Sequence, residues 1–181
     1  MIYFISDTHF GHKGSLFWGD GKNRQFPDVD TMHNTIISNW NSVITDNDVV
    51  YHLGDFAYKA SNTLLTYVFK VLKGKIILIN GNHDGRVLKL NQRLSRFESV
   101  HDRVYLEYND KLFVLDHYPI YSWHSKDRGS IHLHGHVHGT KLPIDGNIMD
   151  VSCEAINYTP ISIDRVLELF SDKKANDSSH E

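Results

Sequence analysis

The sequence contains a single cysteine, Cys153, which excludes an intramolecular disulfide and gives no sign of an oxidising compartment. Its surroundings suit a small apolar residue in a strand. No apolar run approaches the roughly 20 residues of a membrane span. The opening Met1-Ile2-Tyr3-Phe4-Ile5 lacks the basic n-region and long h-region of a signal peptide. These absences imply a cytoplasmic protein with no membrane partner. Positive charge is also not in excess: a net charge of -3 gives no strong nucleic-acid footprint, which calls for a basic face or stripe. Any recognition of phosphate must therefore be local. Internal repeats, low-complexity tracts and linkers are missing as well, so the expectation is one domain over residues 1–170 and a polar, disordered tail over 171–181. Nothing in the sequence specifies an oligomeric state.

What remains is ordinary globular material. A chain of 181 residues fits one domain of roughly 100–200 residues and buries about 70% of its unfolded surface. Hydrophobic residues at 40% and charged residues at 23% argue against extended disorder. The unusual component is histidine, present 13 times. Several of these histidines stand beside Asp, Asn and Gly, where ligand positions would lie, and not on amphipathic helices.

The hydrophobic pattern predicts an α/β order. Residues 2–6 read as a short buried strand, followed by a polar loop from Thr8 to Asp28 punctuated by Gly11, Gly14, Gly19 and Gly21. A helix capped by Asp30 or Thr31 carries Met32, Ile36, Trp40 and Ile44 along one face. Residues 48–53 form a second strand, 61–72 a second helix stopped at Gly74, 75–79 a third strand and 86–96 a third helix. Beyond this, 100–108 and 111–116 read as a hairpin turned at Asn109-Asp110. Further strands are expected at 131–134 and 147–153, mainly antiparallel, with a last helix at 164–170. A polar cluster follows strand after strand. In α/β sheets, loops at the carboxyl ends of strands gather along one edge, so clusters distant in sequence converge.

Five segments place metal-ligand residue types at such ends: Asp7-Thr8-His9, Gly54-Asp55, Gly81-Asn82-His83-Asp84, Asp116-His117 and Gly135-His136-Val137-His138. Asp7 and His9, two apart and just past a strand, can turn toward one cation. Gly81 permits a tight bend that presents three polar side chains in succession. His136 and His138 point the same way if extended, and flanking glycines let backbone approach an ion. Asp55 alone reads more readily as a capping or turn aspartate than as a ligand; the force lies in the set.

Taken in order, D-x-H, G-D, G-N-H-D, H and G-H-x-H over residues 7–138 resemble the calcineurin-like metallophosphoesterases. Asp7-Thr8-His9-Phe10-Gly11-His12 and Asn39-Trp40-Asn41 look most like the small, capless bacterial and phage members. The resemblance implies a four-layer αββα sandwich of two mixed β-sheets flanked by helices, with a dinuclear centre between them. It implies that Asp7, His9 and His138 hold one metal, that Asn82, His117 and His136 hold the other, and that Asp55 bridges the two. Two divalent ions about 3.5–4 Å apart would acidify a bridging water and neutralise the entering and leaving oxygens of an in-line displacement. Their charge of about +4 against about -2 from Asp7 and Asp55 would leave the site cationic and attractive to phosphate. By the same resemblance His83 contacts the phosphoryl oxygens or protonates the leaving group, Asp84 orients and charge-stabilises His83, and Asn82 also touches substrate. The implied activity is hydrolysis of a phosphate ester by a metal-bridging hydroxide, with a phosphodiester or nucleotide preferred over a monoester. Mixed nitrogen and oxygen ligands suit Mn²⁺ first, then Fe or Zn²⁺.

Departures from the family pattern narrow the reading. Phe56-Ala57-Tyr58 follows Gly54-Asp55 where Ser/Thr protein phosphatases read V-D-R-G, which disfavours protein phosphatase activity. No capping domain fits, so loops 10–28 and 118–130 would form the mouth. A non-catalytic metal-dependent module that binds phosphate or nucleic acid is the alternative, and His83-Asp84 speaks against it. Nuclease activity lacks a basic groove in the sequence.

Several residues keep two readings. His12 could bind substrate or be a loop histidine, and Phe17 and Trp18 could stack a base or simply pack. Trp123, His124, Lys126 and Arg128 lie in a loop able to overhang the metals or to face solvent. His52, His132 and His134 read as structural, and His33, His101 and His180 as exposed.

Overall fold

Short β-branched runs that end in Gly, Asp or Asn become strands because each buries an apolar face within a few residues and then must turn. The computed structural model describes residues 1–18 and 24–177, with side chains through residue 172. Strands β1 (Ile2–Ile5), β2 (Val49–His52), β3 (Lys75–Ile79) and β4 (Phe97–His101) lie parallel, and β9 (Ile161–Ser162) joins β1 antiparallel. Their order in the first sheet is β4-β3-β2-β1-β9. The second sheet, ordered β5-β6-β7-β8, contains β5 (Arg103–Tyr108), β6 (Lys111–Asp116), β7 (Ile131–His134) and β8 (Ile148–Asp150). The described residues thus form an α/β fold of two mixed sheets with four α-helices, in line with the family resemblance.

Helices α1 (Val29–Val43), α2 (Asn62–Val71) and α3 (Gly85–Leu94) cover the outer face of the first sheet. Met32, Ile36 and Trp40 of α1 and Leu65, Val68 and Phe69 of α2 pack there with Val50, Ile76 and Leu78. Each such side chain contributes roughly 1.5–3 kcal/mol on burial. The Trp40 indole, fully buried, donates to the Lys73 carbonyl at 2.9 Å. A second core fills the space between the sheets, where Phe4, Leu53 and Ile79 meet Phe113, Leu115, Ile131 and Leu133. Helix α4 (Ile163–Asp177) closes this core with Val166 and Phe170. Segment 117–130 packs on the outer face of the second sheet at His132, through Trp123 and the Ile120 amide, with one 3₁₀ turn at Lys126–Arg128. No helix among the described residues is long and apolar enough to cross a membrane.

Several expectations are corrected. Asp28, not Asp30 or Thr31, caps α1, its carboxylate accepting from the Thr31 amide at 2.7 Å. The predicted strand 100–108 is two strands: the chain leaves the first sheet after His101 and enters the second at Arg103. The second half is less antiparallel than expected, since β6–β7 and β7–β8 are parallel. Segments 117–130 and 135–147 are long enough for the crossovers that parallel pairing requires. Helix α4 runs past residue 170 to Asp177, through the helix-favouring Lys173-Lys174-Ala175. Residues 178–181 of the predicted tail, His180 among them, and Gly19 and Gly21 of the first loop lie outside the described residues.

Candidate metal centre

The loops leaving β1 and β2 zip together before either can turn away. The Asp7 amide donates to the Gly54 carbonyl at 2.9 Å, His9 to Asp55 at 3.0 Å and Phe10 to Phe56 at 3.0 Å. This pairing fixes Asp7, His9 and Asp55 on the carboxyl edge of the first sheet. The Gly135 amide donates to the His117 carbonyl at 3.0 Å and the His136 amide to Asp7 Oδ2 at 2.9 Å, which brings the second sheet's strand ends to the same edge. Asp7, His9, Asp55, His136 and His138 all adopt left-handed backbone, with φ between 48° and 70°. Non-glycine residues rarely do so, and such strain concentrates at functional sites.

Two clusters result. Single ligand atoms of Asp7, His9 and His138 lie within 4.8 Å of one another, and so do those of Asp55, His117 and His136. Asp55 faces both: Oδ2 is 3.6 Å from His9 Nε2, and Oδ1 is 3.7 Å from His117 Nε2. Asn82 Oδ1 lies 3.2 Å from His117 Nε2. All seven residues expected to ligate metal therefore come together.

The hydrogen bonds say which atoms are free for a cation. Asp7 Oδ2 accepts from the Ser6 hydroxyl at 2.7 Å and from the His136 amide. Asp7 Oδ1 and His9 Nε2 are buried with no hydrogen-bond partner, an arrangement that costs about 1–3 kcal/mol per group unless a ligand satisfies it. His117 donates from Nδ1 to the Leu53 carbonyl at 2.8 Å, and His138 Nδ1 meets Glu154 Oε1 at 3.1 Å. Each Nε2 is thereby left toward the centre, the usual outer support of a metal-binding imidazole. The residues fit divalent cations.

Glycines admit the close approach. A Cβ on Gly135 would stand 2.3 Å from Asp7 Oδ2, and one on Gly81 would stand 2.4 Å from Asp55 Oδ1. Although burial works to raise it, the imidazoles of His9, His138 and His117 close by hold the Asp7 carboxyl below the usual carboxylate range. Burial lowers the pKa of His9, and brings that of His12 down to about 4.

Around the clusters, His83 is about one-third exposed, with Nε2 3.9 Å from Asp55 Oδ2. His12 lies 3.4 Å from His9 between ring nitrogens, and its ring is 4.4 Å from that of Tyr58 and 5.1 Å from that of Trp18. Trp18 itself sits edge-on to His138 at 4.4 Å. Trp18 thus borders the centre, whereas Phe17 is exposed.

The role expected of Asp84 is corrected. Its carboxylate is fully buried and accepts from the amides of Asp55, Phe56 and Gly81 at 2.8–2.9 Å, and nothing joins it to His83. Asp84 locks the Asp55 turn to the Gly81 turn, and burial pushes its carboxyl up to about 6. His33 is also corrected: it is buried, and Nε2 accepts from the Gly11 amide at 2.8 Å, anchoring the first loop. Trp123 is buried against His132, its indole donating to Ser130, so this part of the loop packs on the sheet and does not overhang the metals. Tyr118 does border the centre, 4.9 Å from His117 and 4.8 Å from His136. His52 is structural as expected, held at 2.9 Å by Thr8 Oγ1.

Sequence reasoning missed Arg24 and Glu154. The Arg24 guanidinium is buried, donates to Glu154 at 2.8 Å and to the carbonyls of Asp7 and Thr8, and so clamps the first loop beneath the ligands. Glu154 carried a signal, because it directly follows a predicted strand that ends at Cys153. Arg24 carried none.

Two facing mixed sheets with a histidine–carboxylate centre at their shared edge define a metal-dependent α/β enzyme. The calcineurin-like phosphoesterase family matches residues 1–178, and the chain belongs to that family and is a metal-dependent phosphoester hydrolase. It is 36% identical over 180 residues to an uncharacterized protein of Methanocaldococcus jannaschii, covering 96% of this chain and 93% of that one. A protein of unknown function from Aquifex aeolicus shares the fold at a TM-score of 0.67 and 26% identity, covering 93% and 98% of the two chains. The phosphoesterase Yfce from E. coli matches at a TM-score of 0.50 and 15% identity, over 90% of this chain and 81% of that one, a likeness of fold.

Proposed function

We propose a dinuclear phosphodiesterase in which Asp7, His9 and His138 hold one divalent ion, Asn82, His117 and His136 hold the second, and Asp55 serves both. The observation that carries this reading is Asp55, whose two oxygens each lie within 3.7 Å of a histidine from a different cluster. Divalent ions bound there would supply Lewis acidity toward the phosphate and toward the attacking water. Mn²⁺ is the first metal to test. His83 would contact a phosphoryl oxygen or give a proton to the leaving oxygen; its ring is about one-third exposed beside the centre and its amide donates to Asp55 Oδ1 at 2.8 Å. His12 and Asn82 would contact the substrate. A diester is favoured because, among the described residues, loops surround the centre and no cap stands over it to select a terminal phosphate dianion.

The test compares bis-p-nitrophenyl phosphate with p-nitrophenyl phosphate on Mn²⁺-loaded protein. Faster turnover of the diester is expected; preference for the monoester would reverse the substrate assignment, and turnover of neither would overturn the reading. His83→Ala should lower kcat by about 10²–10⁴-fold with bound metal retained by elemental analysis. Unchanged kcat would remove His83 from the chemistry.

A further inference from the structure

The strongest feature outside the metal clusters is a basic helix face that begins beside them. Helix α3 carries Arg86, Lys89 and Arg93 at i, i+3 and i+7, on one side, and no acidic residue stands between Asp84 and Glu98. With Asn62 and Leu90 these three line an open groove of about 530 Å³. Neither they nor Lys59 form an ion pair among the described residues. Arg96, by contrast, turns inward onto the carbonyls of Phe69, Leu72 and Gly74.

Contacts join this face to the centre. The Tyr58 ring lies 4.5 Å from that of His83, and the Lys59 ammonium lies 5.1 Å from the Tyr58 ring. Arg86 follows His83 by three residues and bonds Asn62 at the start of α2 at 3.3 Å. On the other side, the rings of Tyr58, His12 and Trp18 follow one another at 4.4 and 5.1 Å. The wall of Tyr58, His12 and Trp18 thus reaches His83 through Tyr58, with Lys59 next to Tyr58 in sequence and the basic stripe of α3 starting three residues after His83.

We infer that the substrate is a single-stranded polynucleotide, with bases stacked on Trp18 and Tyr58 and backbone phosphates beyond the scissile one lying along Arg86, Lys89 and Arg93. This rests on the phosphodiesterase reading and narrows its substrate. Unpaired bases offer faces for stacking, and a cationic groove tracks their backbone. From Arg86 to Arg93 the helix rises about 10 Å, the length of roughly three stacked nucleotides at 3.4 Å each. A free mononucleotide would leave most of these cations unused. Hydrolysis adds one water across a P–O bond, leaving a phosphomonoester on one fragment and a hydroxyl on the other. The groove was not legible in the sequence because three cations spread over eight residues become a stripe only on a helix.

The experiment uses the full chain and a fluorescein-labelled single-stranded oligonucleotide of about 12 nucleotides. In EDTA, anisotropy should show binding whose log–log salt slope falls by about 2 in the triple variant R86A/K89A/R93A, near 0.7 per lost phosphate contact. With Mn²⁺, the ratio of kcat/KM on the oligonucleotide to that on bis-p-nitrophenyl phosphate should fall at least tenfold in that variant and be retained in R86K/R93K. Absence of oligonucleotide binding by the wild type, or an unchanged slope and ratio in the triple variant, overturns the inference while the diesterase stands. Failure of the wild type to hydrolyse bis-p-nitrophenyl phosphate overturns the diesterase reading instead.

Discussion

Asp7, His117 and His138 each have one atom committed to the protein and another turned toward the centre. Asp7 spends Oδ2 on Ser6 and the His136 amide and keeps Oδ1 free, while His117 and His138 spend Nδ1 on Leu53 and Glu154. Burial opposes a charged His138, yet the hydrogen bond it donates to Glu154 and the charge of Asp7 raise its pKa above the ordinary histidine value. Glu154 therefore fixes both the ring's orientation and the nitrogen that faces inward. Replacing it with glutamine is expected to weaken Mn²⁺ binding by about 10–100-fold, measured by isothermal titration. Arg24 keeps its bonds to the Asp7 and Thr8 carbonyls in this variant, so circular dichroism should still report a folded protein. Equal Mn²⁺ affinity in the two proteins would show that Glu154 does not support His138. Glu154 was legible in principle, by the same strand-end rule that singled out the candidate ligands. Arg24 was not, because its function depends on Glu154, 130 positions away, and a polar loop gives no sign of which residue turns inward.

Elements converge at the centre because their turns touch through backbone. Gly81 lies against the Asp55 turn so closely that an added Cβ would meet the Asp55 amide at 2.3 Å and Oδ1 at 2.4 Å. Gly81→Ala should cost about 1–3 kcal/mol in urea unfolding and abolish most activity, since the Asp55 turn must shift; wild-type stability and rate would contradict this packing. A second junction ties segment 117–130 to β7. The His132 ring donates from Nδ1 to the Val114 carbonyl at 2.9 Å and accepts at Nε2 from the Ile120 amide at 3.1 Å, an arrangement only the neutral ring can satisfy. Burial brings its pKa down to about 4, so its stabilising preference for the neutral ring is complete above about pH 6.5 and declines as pH falls toward 4. At pH 5 the loss should be about 2 kcal/mol. His132→Gln should narrow the stability gap between pH 7 and pH 5 by that amount, and an unchanged gap would place the titration elsewhere. Periodicity made β1, β2, β3 and β7 legible. The break between β4 and β5 was not, because no Gly or Pro marks the point where Asp102 carries the chain from one sheet to the other, and strand direction in the second sheet depends on crossovers that a local pattern cannot report.

Across the whole molecule, the sheets meet in an apolar core with the polar centre at one edge, and the two regions pull in opposite directions. Phe4, Leu53, Phe113 and Leu115 hold the sheets together, while Asp7 and Asp55 set two buried carboxylates in that same edge, each within 4 Å of imidazole nitrogens. The candidate ligand set was readable as a motif because order and spacing along the chain survive folding, and the structure brings its side chains together. Their shared edge follows from the α/β rule alone. How the carboxylates are made tolerable is a property of the assembled protein: the buried Asp7 Oδ1 and His9 Nε2 have no hydrogen-bond partner, and cations held there would give each a partner. Metal should therefore act on the stability of the entire fold. At a free concentration of 100 Kd, one ion that binds only the native state adds about 2.7 kcal/mol. For a chain of this size each kcal/mol moves Tm by about 2–4 °C, so saturation with Mn²⁺ should raise Tm by about 5–10 °C per ion over EDTA-treated protein in calorimetry. The increment should reach its full size only when both sites fill, and Asp55→Asn should reduce it more than His136→Ala, because Asp55 faces both clusters and His136 one. Equal losses in the two variants would mean that Asp55 serves a single site and that the clusters bind independently.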